Sequence, residues 1–289
     1  MAAVRILEGC GALIEGANLA AASDDEIAIV RRAVFEHGVA FLHDQNLGPE
    51  EHIAFAERIG PIVINRYFPK TEKYPQIAKV EKTETQTTNI GGGWHTDHSY
   101  DHEPAMGSIL VALETPPHGG DTLFANMYAA YESLSDGLKR TLSNLEAIHG
   151  SAHVFGNAAA FANSERKEFS GSTDLPESVH PAVITHPGSG KKALYVNPGF
   201  TLRFKDWTPE ESAPLLSFLY EHAAQPQFVH RFSWRPGSVA IWDNRATWHK
   251  AMNDYQGHRR LMHRITIAGE RLTSTARHSV VSQMPYKAL

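Results

Sequence analysis

The chain has one cysteine, Cys10, among 289 residues, so no internal disulfide can brace it and its fold does not depend on an oxidising compartment. No apolar run approaches the roughly 18 residues that a membrane-crossing helix needs. The first twenty residues carry Glu8 and Glu15 and lack the unbroken apolar stretch of a secretory leader. Neither charge sign gathers in a block: 27 basic residues against 32 acidic ones leave a net charge of −5, which argues against a nucleic-acid surface. The expectation is a soluble, cytoplasmic protein with no nucleic-acid and no membrane partner. What is present is proportioned like a globular chain, 42% hydrophobic and 20% charged, and long enough to bury a sizeable core. The one excess is histidine, with 17 residues.

Local signals divide the chain into helices and strands. Ser23 and Glu26 form a capping box ahead of Ile27, Val30 and Val34, and Gly38 closes that helix. Val39–Leu42 reads as a strand, and Pro49 opens a second helix that Gly60-Pro61 stops. Ile77–Val80 and Ser108–Leu113 read as strands, with the polar 83–93 stretch as a loop between them. Residues 126–148 keep leucines on one helical face, with Ser135 able to start a second segment. Val183–Thr185 and Ala193–Val196 flank a turn and form a hairpin, and Thr208-Pro209-Glu210-Glu211 launches another helix. Phe228–Trp234, Ser238–Trp242 and Arg260–Ala268 are the closing strands. The stretch 150–180 has no period and reads as a lid or insertion. With no linker and no repeat, the fold class is β-rich α+β. It is a single domain over 1–289, built as a jelly roll (a double-stranded β-helix) with flanking helices and a site in its mouth.

Two segments carry the chemistry. Trp94-His95-Thr96-Asp97 holds an H-x-D, which on extended chain would turn both side chains to one face. Chance alone supplies about 0.6 such triplets at this composition, so the motif means little by itself. A second segment, Trp242-Asp243-Asn244-Arg245-Ala246-Thr247-Trp248-His249, offers a second histidine. Two histidines and a carboxylate on one face of an ion leave positions open and suit non-haem Fe(II). In the strand that follows, Arg260, Met262, Arg264 and Thr266 share one face. Guanidiniums on a face otherwise fit for a core point to anionic ligands, because arginine grips a carboxylate with a bidentate fork.

Together with Gly119-Gly120-Asp121-Thr122-Leu123 and Arg259-Arg260-Leu261-Met262-His263-Arg264, these motifs resemble, in order and spacing, those of the Fe(II)/2-oxoglutarate-dependent taurine dioxygenase family. That family also contains the phenoxyalkanoate-herbicide dioxygenases. The resemblance runs from about residue 10 to residue 270. The 179–190 stretch with Tyr195-Val196-Asn197 is more similar to the aryloxyalkanoate branch than to the taurine branch. The resemblance implies that His95, Asp97 and His249 hold Fe(II) and that Thr122 and Arg260 bind the distal carboxylate of 2-oxoglutarate. It implies that Arg264 meets the acidic group of the primary substrate, with His98 bordering the same pocket.

The implied reaction uses O2, releases succinate and CO2, and hydroxylates a small organic acid. If the attacked carbon bears a heteroatom, the product falls apart and hydroxylation becomes cleavage. The taurine enzymes place a histidine in the segment that reads Asn65-Arg66-Tyr67-Phe68-Pro69 here, and the matching position is Asn65. An aryl or bulky carboxylate or sulfonate is therefore expected rather than taurine, with Tyr67 and Phe68 shaping an apolar pocket. Relatives of this kind are dimers or tetramers, so a homo-oligomer is expected. The alternatives are a metal-dependent hydrolase on the same two-histidine, one-carboxylate set, which would leave Arg260 and Thr122 without a purpose, and a non-catalytic relative. Trp94 and Trp242 are read as packing residues, Asp243 and Asn244 as organisers of the turn before His249, and the side chains of His98, His102 and His118 as surface or supporting groups.

Overall fold

The computed structural model describes residues 2–157, 162 and 164–273. A hairpin of β1 (Ala3–Ile6) and β2 (Ala12–Glu15) leads into α1 (Asp24–His37). The Ser23/Glu26 capping box forms as the sequence predicts, and Gly38 at φ 82° takes the left-handed conformation that ends the helix. β3 (Val39–Leu42) follows, then α2 (Pro49–Ile59), β4 (Ile62–Val63), β5 (Ala78–Lys82), β6 (Gly107–Glu114) and β7 (Thr122–Asn126).

Beyond α3 (Met127–Glu132), Ser135 caps α4 (Asp136–Leu142). The helical pattern expected over 126–148 stops at Leu142, because 146–150 forms a strand instead, β8 (Glu146–Gly150). The described part of the stretch 150–180 holds more regular structure than its composition suggested. Its described part holds α5 (Ala152–Phe155), a 3-10 turn over Lys167–Phe169 and β9 (Glu177–Pro181), while 158–161 and 163 lie outside the described residues.

The chain then runs through β10 (Val183–Thr185), β11 (Lys192–Leu194), β12 (Thr201–Phe204) and α6 (Pro209–Ala223). It ends in β13 (Val229–Phe232), β14 (Val239–Asp243), β15 (Thr247–Ala251) and β16 (Arg260–Ile267). Among the described residues no helix is long and apolar enough to cross a membrane.

The largest sheet runs β1-β2-β3-β14-β6-β16-β4, with β5 beside β4 on the same edge of β16, and a three-stranded sheet runs β13-β7-β15. Alternation along each strand sends one set of side chains outward and the other between the sheets. On the outer face of the large sheet, α1 and α2 cover Ile109, Val111, Ile241, Ile265 and Ile267. On the inner face, Phe41, Leu110, Trp242 and Met262 meet Phe124 and Phe232 of the smaller sheet, with Cys10 buried beside them. Phe41 stacks on Phe232 with centroids 4.2 Å apart and meets Phe124 edge-on at 5.3 Å. This aromatic layer sets the spacing between the sheets, and the cavity opens where it ends. Phe124→Ala should therefore destabilise the fold by about 3–5 kcal/mol, measured by denaturant unfolding.

Several of the histidines are structural. Burial holds His52 of α2 at about 3 and His180 of β9 at about 4, and pushes His149 of β8 well below the usual imidazole range. All three are lowered relative to an unfolded value of about 6.5. Between those limits the unfolded chain takes up protons that the folded chain refuses, so stability is full above about 6.5 and lost as pH falls toward 4. Urea midpoints should drop from pH 7 to pH 5, and His52→Gln should flatten that slope; a midpoint constant over this range contradicts the assignment.

Candidate functional site

The centre of the cavity is assembled from two chain segments far apart in sequence. His95 follows the Gly91-Gly92-Gly93 run, and His249 lies on β15. They are joined by a two-way backbone bridge: His95 N–H donates to the His249 carbonyl at 3.1 Å, and His249 N–H to the His95 carbonyl at 2.8 Å. Asp97 is not on a strand, contrary to the extended-chain expectation. It starts the turn Asp97–Tyr100, and that turn, rather than strand alternation, brings its carboxylate beside both rings. The ligand atoms of His95, Asp97 and His249 all lie within 4.8 Å of one another.

The protonation of this group suits a cation. His95 Nδ1 lies 2.8 Å from the Gly93 carbonyl, so that nitrogen donates and Nε2 keeps its lone pair, 3.7 Å from Asp97 Oδ1. Burial holds His249 down at about 3, leaving its imidazole neutral, with Nε2 3.5 Å from Asp97 Oδ2 and Nδ1 without a hydrogen-bond partner. Burial alone would raise the Asp97 carboxyl, but Arg264, His249, His95 and His98 pull it well below the usual carboxylate range. Because His249 is neutral, Arg264 carries that effect. Its Nη2 approaches Asp97 Oδ2 to 2.9 Å as an ion pair, without hydrogen-bond alignment. Two imidazoles, that of His249 held neutral, and an ionised carboxylate, with unpartnered buried atoms on Asp97 and His249, form the donor set of a facial site for a first-row divalent metal. Gly199 permits this packing, since a Cβ there would stand 2.6 Å from His95 Cβ. No pattern in the sequence singled Gly199 out.

These residues open onto a cavity of about 310 Å³. At one end lie Thr122 and Arg260. Arg260 is buried, its Nε donates to the Gly120 carbonyl at 3.1 Å, and its guanidinium sits 5.6 Å from the Trp234 ring. The same indole donates to Thr122 Oγ at 2.9 Å, so Trp234, read in the sequence only as the end of a strand, ties the two residues together. Among the described residues no carboxylate pairs with Arg260. Burial lowers it from the usual guanidinium range, with Tyr255 and Asp121 opposing, and it remains a cation.

Arg264 lies on the same face of β16, with Nε donating to Ser108 Oγ at 3.0 Å and its guanidinium between the Phe68 and Trp242 rings. Arg259 faces the other way and pairs with Glu81 and Glu114.

The remaining wall is apolar. Tyr67 stacks on Phe155 with centroids 3.9 Å apart, and Phe68, Ile90, Val154 and Phe200 complete the lining. The Tyr67 hydroxyl donates to the Asp174 carbonyl at 2.8 Å, so the residue offers the cavity its ring rather than its oxygen. Asn65 and His98 also line the cavity, both buried. Phe155 and Phe200 were not picked out in the sequence because each lies in a segment of mixed small residues without period.

Asp243 and Asn244 organise the turn before β15, as read from the sequence. Asp243 accepts from the Arg245 side chain at 2.9 and 2.7 Å and from His186 Nε2 at 2.8 Å. Asn244 links the two halves of the centre: its carbonyl accepts from Thr96 Oγ at 2.6 Å, and its side chain accepts from Trp242 Nε1 at 2.9 Å. Trp242 packs 4.9 Å from the His249 ring. Supporting bonds of this kind hold ligands in register, so Thr96→Val should weaken Mn(II) binding roughly 10- to 100-fold while the protein stays folded. Unchanged affinity in a metal titration would show that the Thr96–Asn244 bond does not position the centre.

Comparison with known proteins gives one consistent result. The model of the family described as "Taurine catabolism dioxygenase TauD, TfdA family" matches residues 5–266. An alkylsulfatase of Acinetobacter baylyi is 35% identical over 90% of this chain and 82% of its own. An alpha-ketoglutarate-dependent sulfate ester dioxygenase of Pseudomonas putida is 32% identical over 90% of this chain and 87% of its own. An (S)-phenoxypropionate/alpha-ketoglutarate-dioxygenase of Sphingobium herbicidovorans is 31% identical over 92% and 94%. Among solved structures, a taurine dioxygenase from Burkholderia xenovorans superposes with a TM-score of 0.80 at 32% identity, covering 95% of this chain and 93% of that one. Identities of 31–35% do not separate sulfate-ester from aryloxy relatives, so substrate choice must be argued from the cavity.

Proposed function

Because this chain belongs to the TauD, TfdA family of taurine catabolism dioxygenases, we propose that its cavity is the active site of an Fe(II)- and 2-oxoglutarate-dependent dioxygenase that oxidises a small organic acid with an aryl or bulky body. One observation carries this reading: the His95, Asp97 and His249 ligand atoms converge within 4.8 Å in a cavity that holds two buried arginines. In this reading the two facing sheets are a double-stranded β-helix forming one unit, and the described residues of the 150–180 stretch, His153 to Phe155 among them, border its mouth.

Each side chain then has a task. His95, Asp97 and His249 hold Fe(II) on one face. The Gly93 carbonyl fixes the His95 tautomer, and Arg264 keeps Asp97 ionised. Arg260, with Thr122 beside it, takes the distal carboxylate of 2-oxoglutarate, the anion that this buried cation lacks among the described residues. Arg264 presents its remaining donors to the acidic group of the primary substrate.

When bound, Fe(II) and 2-oxoglutarate supply an O2-dependent oxidative decarboxylation that gives succinate and CO2 and hydroxylates a C–H bond. Tyr67, Phe68, Phe155 and Phe200 exclude water and hold the substrate body, orienting the reacting carbon. A wall of Tyr67, Phe68, Phe155 and Phe200 rings suits an aryl or alkyl body better than the polar ammonium of taurine, and position 65 supplies an amide rather than an imidazole. The hydrolase alternative is not favoured, because it leaves the buried Arg260 and its neighbour Thr122 without a ligand to hold.

Oxygen- and iron-dependent succinate release across sulfate esters, sulfonates and aryloxyalkanoates tests the reading. His95→Ala and Asp97→Ala should abolish that release. Arg260→Ala should raise the half-saturating 2-oxoglutarate concentration roughly 10- to 100-fold, the effect of losing a buried charge-assisted pair. Arg264→Ala should instead act mainly on the primary substrate, and titrating both substrates in each variant separates the two roles.

A further inference from the structure

Far from the cavity, the large sheet ends in a strand whose outer edge is open. β1 is the last strand of that sheet, and among the described residues nothing pairs with its far side. Its register with β2 sets Arg5 opposite Leu13 and Ile6 opposite Ala12, and just beyond, Leu7 N–H donates to the Gly11 carbonyl at 3.0 Å. Bonded and non-bonded pairs alternate in an antiparallel ladder. Ala3, Arg5 and Leu7 therefore direct their backbone groups to β2, and Val4 and Ile6 turn theirs to the open edge. Edge strands are ordinarily blunted by proline, a bulge or several charges. This one has no proline, no register shift and one charge, Arg5.

The side chains at this edge are apolar and uncovered. Ile6, 66% exposed, is the most exposed large apolar side chain among the described residues, and Val4 is 46% exposed. Alternation puts both on the α1 side of the sheet with Ala2, which packs against the core there. Beside them a groove of about 250 Å³ runs between β1 and α1, lined by Val4, Ile29 and Ala33 and rimmed by Arg32, Glu36 and His37. An apolar knob, an apolar groove and a row of open backbone donors and acceptors share one border.

We propose that this border is the interface between two copies of the chain, which pair β1 with β1 antiparallel about a two-fold axis and so join their large sheets into one. Two registers keep the face alternation and overlap most of the strand. One sets Arg5 against Arg5 of the second copy, a like-charge pair that destabilises a sheet. The other, which is the register of the proposal, sets Val4 against Val4 and Arg5 against Ala3, and lays Ile6 beside Ala2 at the groove. It also matches the backbone groups, since Val4 and Ile6 are the residues that present theirs. Arg32 and Glu36 lie one helical turn apart on the rim, and the same axis runs α1 antiparallel to its copy, which sets each sign toward its opposite. Every feature of the border is its own complement under that axis, and this singles out a second copy as the occupant. The proposal is independent of what the cavity binds.

The test is the mass of the full chain in solution, by sedimentation over a concentration series. At least two chain masses should be found. Val4→Lys and Ile6→Lys should each halve that mass and leave the unfolding midpoint of dilute protein unchanged, because both side chains are exposed in the single chain. Phe218→Lys, which charges a comparably exposed apolar residue of α6, should leave the mass as it was. Cysteine substitution then reads the register. Bonded partners in an antiparallel pair stand about 5.5 Å apart at Cα, within disulfide reach, so Val4→Cys should give a covalent dimer on mild oxidation and Arg5→Cys should not. Cys10 is buried and does not compete. A monomer at every concentration, an assembly that survives both lysine variants, or a disulfide through Arg5→Cys in place of Val4→Cys would overturn the proposal. The cross-link needs no charge at the edge, so it decides the matter even where a lysine variant fails to fold.

Discussion

The site depends on two backbone hydrogen bonds between His95 and His249. They fasten a glycine-rich loop to a strand whose register is already set, His249 standing opposite Phe124 of β7. Because β7 is also paired with β13 and its Phe124 is locked in the inter-sheet aromatic layer, His249 has little freedom of its own. The loop adapts to the strand, not the reverse. Asp97 then follows through a single turn, and the Thr96–Asn244 bond prevents that turn from drifting. A centre built this way takes its precision from sheet register and needs few dedicated supports.

Charge is distributed along β16 with the same economy. Arg260 and Arg264 alternate with Met262 on the inward face, and both are buried. Burying a guanidinium without a partner costs several kcal/mol. Arg264 meets part of that cost through Asp97 and Ser108, whereas Arg260 has a carbonyl, an aromatic face and no anion among the described residues. The strand is therefore less stable than an apolar equivalent would be until an anion arrives, and ligand binding and local stability are coupled at this position.

Much of this was legible in the amino-acid order. The caps at Ser23 and Thr208, the proline at 49 and the alternation of Arg260–Ile267 each act through local chemistry, and each has its structural counterpart. What escaped has a physical explanation. β9 buries Ser178 and His180 and exposes Val179, the inverse of the usual alternation, so no apolar period marked it as a strand. β15 packs Trp248 to one side and His249 to the other, and reads as a motif rather than a strand. Leu145 continued a helical leucine stripe past the end of α4 at Leu142, directly before β8 begins. The supporting residues Trp234, Gly199 and Phe155 act through tertiary contacts alone, and the order of residues carries no record of those.

Cys10 sits in the inter-sheet cluster with 1% of its surface exposed, and burial pushes its thiol up, far from the reactive thiolate range. As the only cysteine of the chain, it leaves the protein chemically silent toward maleimides and other thiol reagents under native conditions. A cysteine introduced beside Asp174 or Thr87 would then be the sole labelling position. A fluorophore or spin label placed there is held at one defined point, beside the contacts of Asp174 with Tyr67 and Arg66 or of Thr87 with Glu165, without any further change to the molecule.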